Sequence, residues 1–164
     1  MNLPDRKEIL TSYSRYGIPA FDWIVPGKVM ASVFPDGEEY LRYLHDAEGI
    51  GLAINLSESP WPPEWSRSTG VMSIHIPVED FTAPTVEQAL TAVKAIASHD
   101  GPVMVHCAAG LGRTGTVIAI YLMETGMGWR EAVRWVREKR EGSIQSSDQK
   151  WLVEHWTKLR GETL

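Results

Sequence analysis

Pro102-Val103-Met104-Val105-His106-Cys107-Ala108-Ala109-Gly110-Leu111-Gly112-Arg113-Thr114-Gly115 runs without a break into Thr116-Val117-Ile118-Ala119-Ile120-Tyr121-Leu122-Met123. Three regimes follow one another. A short apolar run reads as a buried strand, a stretch of small residues and glycines as a tight loop, and a long apolar run as a helix. A strand feeding straight into a helix through such a loop is a building block of α/β folds.

The same alternation extends outward. Upstream, residues 21–34 read as two short strands around a turn at Pro26-Gly27. Pro35-Asp36-Gly37 opens a helix marked by Tyr40, Leu41, Leu44 and Ala47, and Gly49 stops it. Residues 50–56 read as a strand, 71–76 as another, and 84–99 as a helix with Val86, Ala89, Leu90, Val93 and Ile96 on its apolar stripe. Residues 57–70 (SESPWPPEWSRSTG) read as a loop, because three prolines oppose regular structure. Downstream, helical patterns cover 129–140 and 146–160. The sum is an α/β chain with three layers, a mainly parallel central sheet flanked by helices, and a helix-rich C-terminal third.

The 164 residues suit one domain spanning 1–164. Residues 1–20 read as irregular, broken by Pro4, Gly17 and Pro19, and 161–164 as a frayed end. Lys plus Arg number 16 and Asp plus Glu 21, a net charge of −5, which argues against nucleic acid as a partner. The longest clean apolar run, Thr116 to Met123, is far short of the ~20 residues a membrane helix needs. The start, MNLPDRKEIL, lacks a signal peptide's apolar core. A single cysteine allows no internal disulfide. The expectation is a cytoplasmic protein, a monomer, with no membrane partner. His45, His75, His99 and His155 show no ligand spacing, so no metal and no cofactor are expected.

The loop carries the chemistry. A loop ending at a helix N-terminus aims several backbone N–H groups at one spot, and the helix dipole adds positive potential. Small residues and glycines let that backbone curl around a phosphate-sized anion. Arg113 offers two parallel donors to phosphate oxygens. The same field favours a thiolate on Cys107, the form that attacks phosphorus. The plain alternative, a lone cysteine buried as a small hydrophobe, leaves the position of Arg113 and the glycines unexplained.

Gly110-Leu111-Gly112-Arg113-Thr114-Gly115 also satisfies the dinucleotide fingerprint G-x-G-x-x-G. Two features oppose that reading. The pattern after the first helix is another helix, and no acidic residue stands about 20 positions on at a strand end to hold a ribose.

His106-Cys107-x5-Arg113-Thr114 resembles the H-C-x5-R-[ST] signature of the cysteine-dependent protein tyrosine phosphatase superfamily, and more closely its small atypical dual-specificity phosphatases. VEDFTAP, residues 78–84, resembles that group's general-acid loop, and EGSIQSSDQKWL, residues 141–152, its glutamine-bearing segment. The resemblance implies the phosphatase fold and roles for particular residues. Cys107 would attack phosphorus. Ala108, Ala109, Gly110, Leu111, Gly112 and Arg113 would hold the phosphate oxygens, or phosphate, vanadate or sulfate-like anions. Thr114 would donate to the sulfur, or simply satisfy the start of the helix. His106 would support the loop, and Gln149 would position the hydrolytic water. Asp80, 27 residues before Cys107, would be the general acid, with Glu79 as fallback.

The implied substrate is a phosphorylated protein or peptide, phosphotyrosine and also phosphoserine or phosphothreonine. The alternatives are a small phosphorylated metabolite or inositol phosphate, and a non-catalytic phosphate-binding module. Ala108, Ala109 and Leu111 stand where phosphoinositide phosphatases tend to place lysines, against a multiply phosphorylated headgroup. Glu141 precedes Gly142 where relatives often have proline. Trp61 and Trp65 read as core residues. Arg130, Arg134 and Arg137 share a helical face and read as a solvated stripe, with attraction of an acidic phosphoprotein as the alternative.

Overall fold

The computed structural model describes residues 2–163. In chain order the elements are α1 (Arg6–Ser12), β1 (Phe21–Val25), β2 (Val29–Ser32), α2 (Glu38–Glu48), β3 (Leu52–Asn55), α3 (Pro63–Thr69), β4 (Met72–His75), α4 (Val86–Ser98), β5 (Val103–His106), α5 (Gly112–Glu124), α6 (Trp129–Lys139) and α7 (Ser147–Thr163). The strands form one sheet in the order β1-β2-β5-β3-β4. β1 pairs antiparallel to β2 across the Pro26-Gly27 turn, and every other pairing is parallel.

Successive strand residues point to opposite faces, and each face has its own core. Val29, Ala31, Leu52, Ile54, Val103 and Val105 pack with α4, α5, α6 and α7. Met30, Ala53 and Met104 pack with Ile9 of α1, with Tyr40, Leu41 and Leu44 of α2, and with Trp61. This is the expected three-layer arrangement. β5 lies at the middle of the sheet with parallel neighbours on both sides, so its carboxyl end opens at the centre of one edge. α5, which follows it, is enclosed by α4, α6 and α7, and every residue from Gly112 to Ile120 is buried.

Three expectations need correction. Residues 57–70 are not all loop, since α3 occupies Pro63–Thr69. Pro62 is its N-cap and Pro63 its first residue, and proline is well suited to a first helical turn, where the missing N–H has no partner to lose. The irregular segment 1–20 contains α1, capped by the Asp5 carboxylate, which accepts from Lys7 N. It buries only Ile9, too little to print a period. At the other end α7 runs through Gly161 to Thr163 rather than fraying at 161; Leu164 lies outside the described residues. No helix among the described residues is long and apolar enough to cross a membrane.

Candidate active site

The carboxyl ends of parallel strands are where α/β sheets place ligands, and β5 delivers Cys107 there. The loop from Cys107 to Leu111 is held from outside. The carbonyl of Ala108 accepts from Phe34 N at 2.9 Å. Arg140, just past α6, donates from Nη2 to Ala109 O and from Nε to Gly110 O, both at 3.0 Å, and from Nη1 to Asp22 Oδ2 at 2.8 Å. Three consecutive carbonyls are thereby fixed away from the loop's interior. The N–H groups of Ala108 through Arg113 have no acceptor among the described residues, which leaves them available to an anion. Gly110 has φ +71° and lies so close to β2 that a Cβ there would sit 2.2 Å from Ser32 O, so only glycine fits.

Cys107 is 3% exposed. Its Sγ accepts from Thr114 Oγ1 at 3.1 Å. His106 beneath it is buried, with Nδ1 3.1 Å from the Cys107 carbonyl, while Nε2 lies 3.0 Å from the Trp61 indole N–H. An indole N–H only donates, so Nε2 is the acceptor and Nδ1 carries the proton that goes to Cys107 O. Burial pushes the His106 pKa down to about 3, with the Cys107 carbonyl opposing it, so the ring is neutral at physiological pH. Trp61 stacks on this ring and Phe34 meets it edge-on. His106 is thereby held in one orientation against the Cys107 carbonyl.

The Arg113 side chain, 2% exposed, is oriented by two other loops. Nη1 donates to Val78 O at 2.8 Å and to the Glu58 carboxylate, and Nη2 pairs with Asp80 Oδ1 at 3.1 Å. Nε is a buried donor without an acceptor among the described residues. Glu58 comes from the β3–α3 loop, shaped by Asn55, whose Oδ1 accepts from both Ser57 N and Ser57 Oγ. The hydrogen bond from Arg113 holds the Glu58 carboxyl below its ordinary range, so it stays ionised. Its other oxygen accepts from Asp80 N at 3.4 Å. Glu58 thus links the arginine to the Asp80 loop.

Asp80 lies beside the sulfur's cavity, its side chain about half exposed. The cavity, about 340 Å³, has Cys107, Ala108, Ala109 and Leu111 at its base and Arg113 and Asp80 on its wall. Tyr16, Ile18, Phe81 and Gln145 form its rim. Tyr16 and Phe81 are strongly exposed aromatics with φ of +54° and +62°. Non-glycine residues avoid that region, and where it occurs it tends to mark a functional site. The third such residue, Ile144 (φ +62°), immediately precedes Gln145.

The site therefore gathers Cys107, Arg113, Thr114, Asp80 and the loop 108–112, with His106 below. Glu79 does not line the cavity. Gln149 is also not on it. It is fully buried, its Oε1 accepting from Gln145 N and Ser146 N and its Nε2 donating to Thr82 O at 3.1 Å. That ties the start of α7 to the Asp80 loop, and Gln145 is the glutamine that faces the cavity. Glu58, Arg140 and Tyr16 carry no local sequence signal, and Glu58 and Arg140 meet the site through contacts tens of residues away; Phe81 belongs to the acid-loop segment already singled out.

Comparison with known proteins identifies the family. Residues 18–153 match the family model described as Swiss Army Knife protein, DSP-PTPase phosphatase domain. The chain is 30% identical over 156 residues to tyrosine-protein phosphatase cdc-14 of Caenorhabditis elegans, covering 87% of this chain and 22% of that protein. It is 35% identical over 133 residues to protein tyrosine phosphatase type IVA 3 of Mus musculus, covering 77% of each. The crystal structure of Tk-PTP in the active form superimposes with a TM-score of 0.75 at 33% identity, covering 87% of this chain and 97% of that one. PTPMT1, at 20% identity and a TM-score of 0.76, shares the fold.

Proposed function

Because the chain belongs to the dual-specificity (DSP-PTPase) family of protein tyrosine phosphatases, we propose that it hydrolyses phosphate monoesters on proteins, phosphotyrosine foremost, through a cysteinyl-phosphate. One observation carries the reading. A single cavity has the sulfur of Cys107 at its base, N–H groups without an acceptor among the described residues around it, and the Asp80 carboxyl group on its wall.

In the first step the Cys107 thiolate forms a bond to phosphorus as the bond to the ester oxygen breaks. The backbone N–H groups of Ala108 to Arg113 and the free Nε of Arg113 hold the three non-bridging oxygens, donors preorganised before substrate arrives. Asp80 gives its proton to the departing oxygen. In the second step Asp80, now a carboxylate, takes a proton from water as that water attacks phosphorus. The S–P bond breaks, and inorganic phosphate and the thiolate are released. Thr114 Oγ1, donating to Sγ, stabilises the sulfur as leaving group. Gln145, on the rim, is placed to orient the water, while Gln149 anchors the acid loop.

The rim supports an aromatic ester. Tyr16 and Phe81 present flat apolar faces at the mouth, and among the described residues lining the cavity Arg113 is the one cation, with Arg15 in the adjoining concavity that shares Ala108. The test is hydrolysis of para-nitrophenyl phosphate and a phosphotyrosine peptide in the presence of a chelator. Turnover should persist with the chelator, and Cys107→Ser should lose it while still binding the phosphopeptide. Near-normal turnover by Cys107→Ser overturns the mechanism.

A further inference from the structure

A second concavity, about 520 Å³, lies between α6 and the start of α7, and no step of the hydrolysis uses it. Trp129 and Val133 supply its apolar surface, while Arg130, Arg134 and Arg137 of α6 and Lys150 of α7 surround it. Glu138 is the one carboxylate among the described residues lining it. Four cations thus stand against one anion in a chain whose acidic side chains outnumber its basic ones, 21 to 16. None of the four lies within 4.0 Å of a carboxylate among the described residues.

Part of this surface is rigid. The Arg130 guanidinium stacks over the Trp129 ring at 4.5 Å. Arg137 donates from Nε to Ser143 O and from Nη2 to Ile144 O, both at 3.0 Å. Those carbonyls belong to the segment that carries Gln145 on the rim of the catalytic cavity. Gln145 and Lys150 are five residues apart, so their Cα atoms, one at each concavity, are at most about 18 Å apart, the reach of roughly five extended residues.

We propose that this groove docks an acidic segment of the phosphoprotein substrate, about five to ten residues from the phosphorylated side chain. The proposal rests on the phosphoprotein phosphatase reading above. Clustered unpaired cations favour a partner rich in Asp and Glu, and the apolar surface beside Trp129 gives an extended peptide more to cover than a diffuse counterion cloud would need.

The experiment compares two phosphotyrosine peptides, each with a neutral five-residue spacer followed by either four glutamates or four glutamines. With the wild-type protein at low salt, the acidic peptide should show a kcat/KM about tenfold higher, and the advantage should shrink as salt rises. Arg134→Glu/Lys150→Glu should abolish that advantage and leave para-nitrophenyl phosphate turnover unchanged; Arg134→Gln/Lys150→Gln should fall between. Equal kcat/KM for the two peptides, or a preference that survives both double variants, overturns the proposal. So does binding to phosphatidylserine vesicles that requires Arg134 and Lys150 when the peptide preference is absent. Failure of the parent reading looks different. The wild type would then turn over neither peptide nor aryl phosphate, and fluorescence anisotropy with an unphosphorylated tetraglutamate peptide would still read the groove.

Discussion

Arg140→Lys keeps the charge at the centre of the loop clamp and removes its fork. Arg140 is essentially buried and makes three hydrogen bonds, to Ala109 O, Gly110 O and the Asp22 carboxylate. A lysine ammonium on a single stem can keep about one of these. A hydrogen bond involving a charged group contributes about 1.5–3 kcal/mol, so losing two costs roughly 3 kcal/mol once water re-solvates part of the exposed carbonyl surface. That is a large share of a total stability of about 5–15 kcal/mol, and for a chain of this size it lowers Tm by about 6–12 °C. The freed carbonyls also let the loop turn its N–H groups off the phosphate position. Misplacement of about 1 Å can cost a hundredfold, so kcat/KM for para-nitrophenyl phosphate should fall by at least about tenfold. Urea melts followed by steady-state kinetics measure both quantities. Stability within about 0.5 kcal/mol of wild type would refute the clamp itself. A destabilised protein with unchanged kcat/KM at low temperature would refute its role in ordering the loop.

Asp80→Asn should lower kcat by about 10²–10⁴ for an alkyl phosphate and much less for para-nitrophenyl phosphate, whose leaving group needs little protonation; an equal loss for both esters would argue that Asp80 is structural. Gly110→Ala places a Cβ against Ser32 O and imposes φ +71° on an L side chain, so it should cost activity and stability together, read by aryl phosphate turnover and Tm; wild-type values for both would show that the close approach to β2 is not needed. His106 is buried and neutral, so it opposes acid: its folded pKa of about 3 lies below the ordinary value near 6.5, and the unfolded chain binds the extra proton in between. Its contribution is therefore flat above about pH 6.5 and lost as pH falls, about 1.4 kcal/mol by pH 5.5. Urea melts at pH 7.5 and 5.5 should show this drop in the wild type and not in His106→Gln.

How much of the molecule is legible in its sequence depends on how local each cause is. The stretch from Val103 to Ile120 takes its local structure from neighbours in sequence, since strand, loop and helix start are contiguous. Cys107, Arg113 and Thr114 therefore announce themselves, and the Asp80 loop does so by resemblance. Arg113 is also held by Glu58, 55 residues away, and the loop is clamped by Arg140 through a partner 118 residues away, Asp22. No pattern read along the chain encodes such contacts; only the closing of the sheet creates them. α3 is hidden for a different reason. Prolines read as breakers, yet Pro62 and Pro63 sit where a helix begins. Gln149 has a water-positioning role only through the resemblance of its segment, and the structure turns it inward to the Thr82 carbonyl, with Gln145 at the cavity instead.

The burial of Cys107 at the base of its cavity also decides which oxidants meet it. The sulfur is 3% exposed and reachable through an opening lined by Tyr16, Phe81 and Gln145. Hydrogen peroxide is smaller than a phosphate group, whereas a bulky disulfide such as oxidised glutathione has to bring its S–S bond in line with an almost wholly buried sulfur; peroxide should therefore inactivate the protein faster than oxidised glutathione does at equal concentration, and saturating phosphate should slow the peroxide reaction. The chain has no second cysteine to trap the oxidised sulfur as an internal disulfide, so recovery depends on a small thiol entering by the same opening, or on a sulfenamide with a backbone nitrogen that holds the sulfur until reduction.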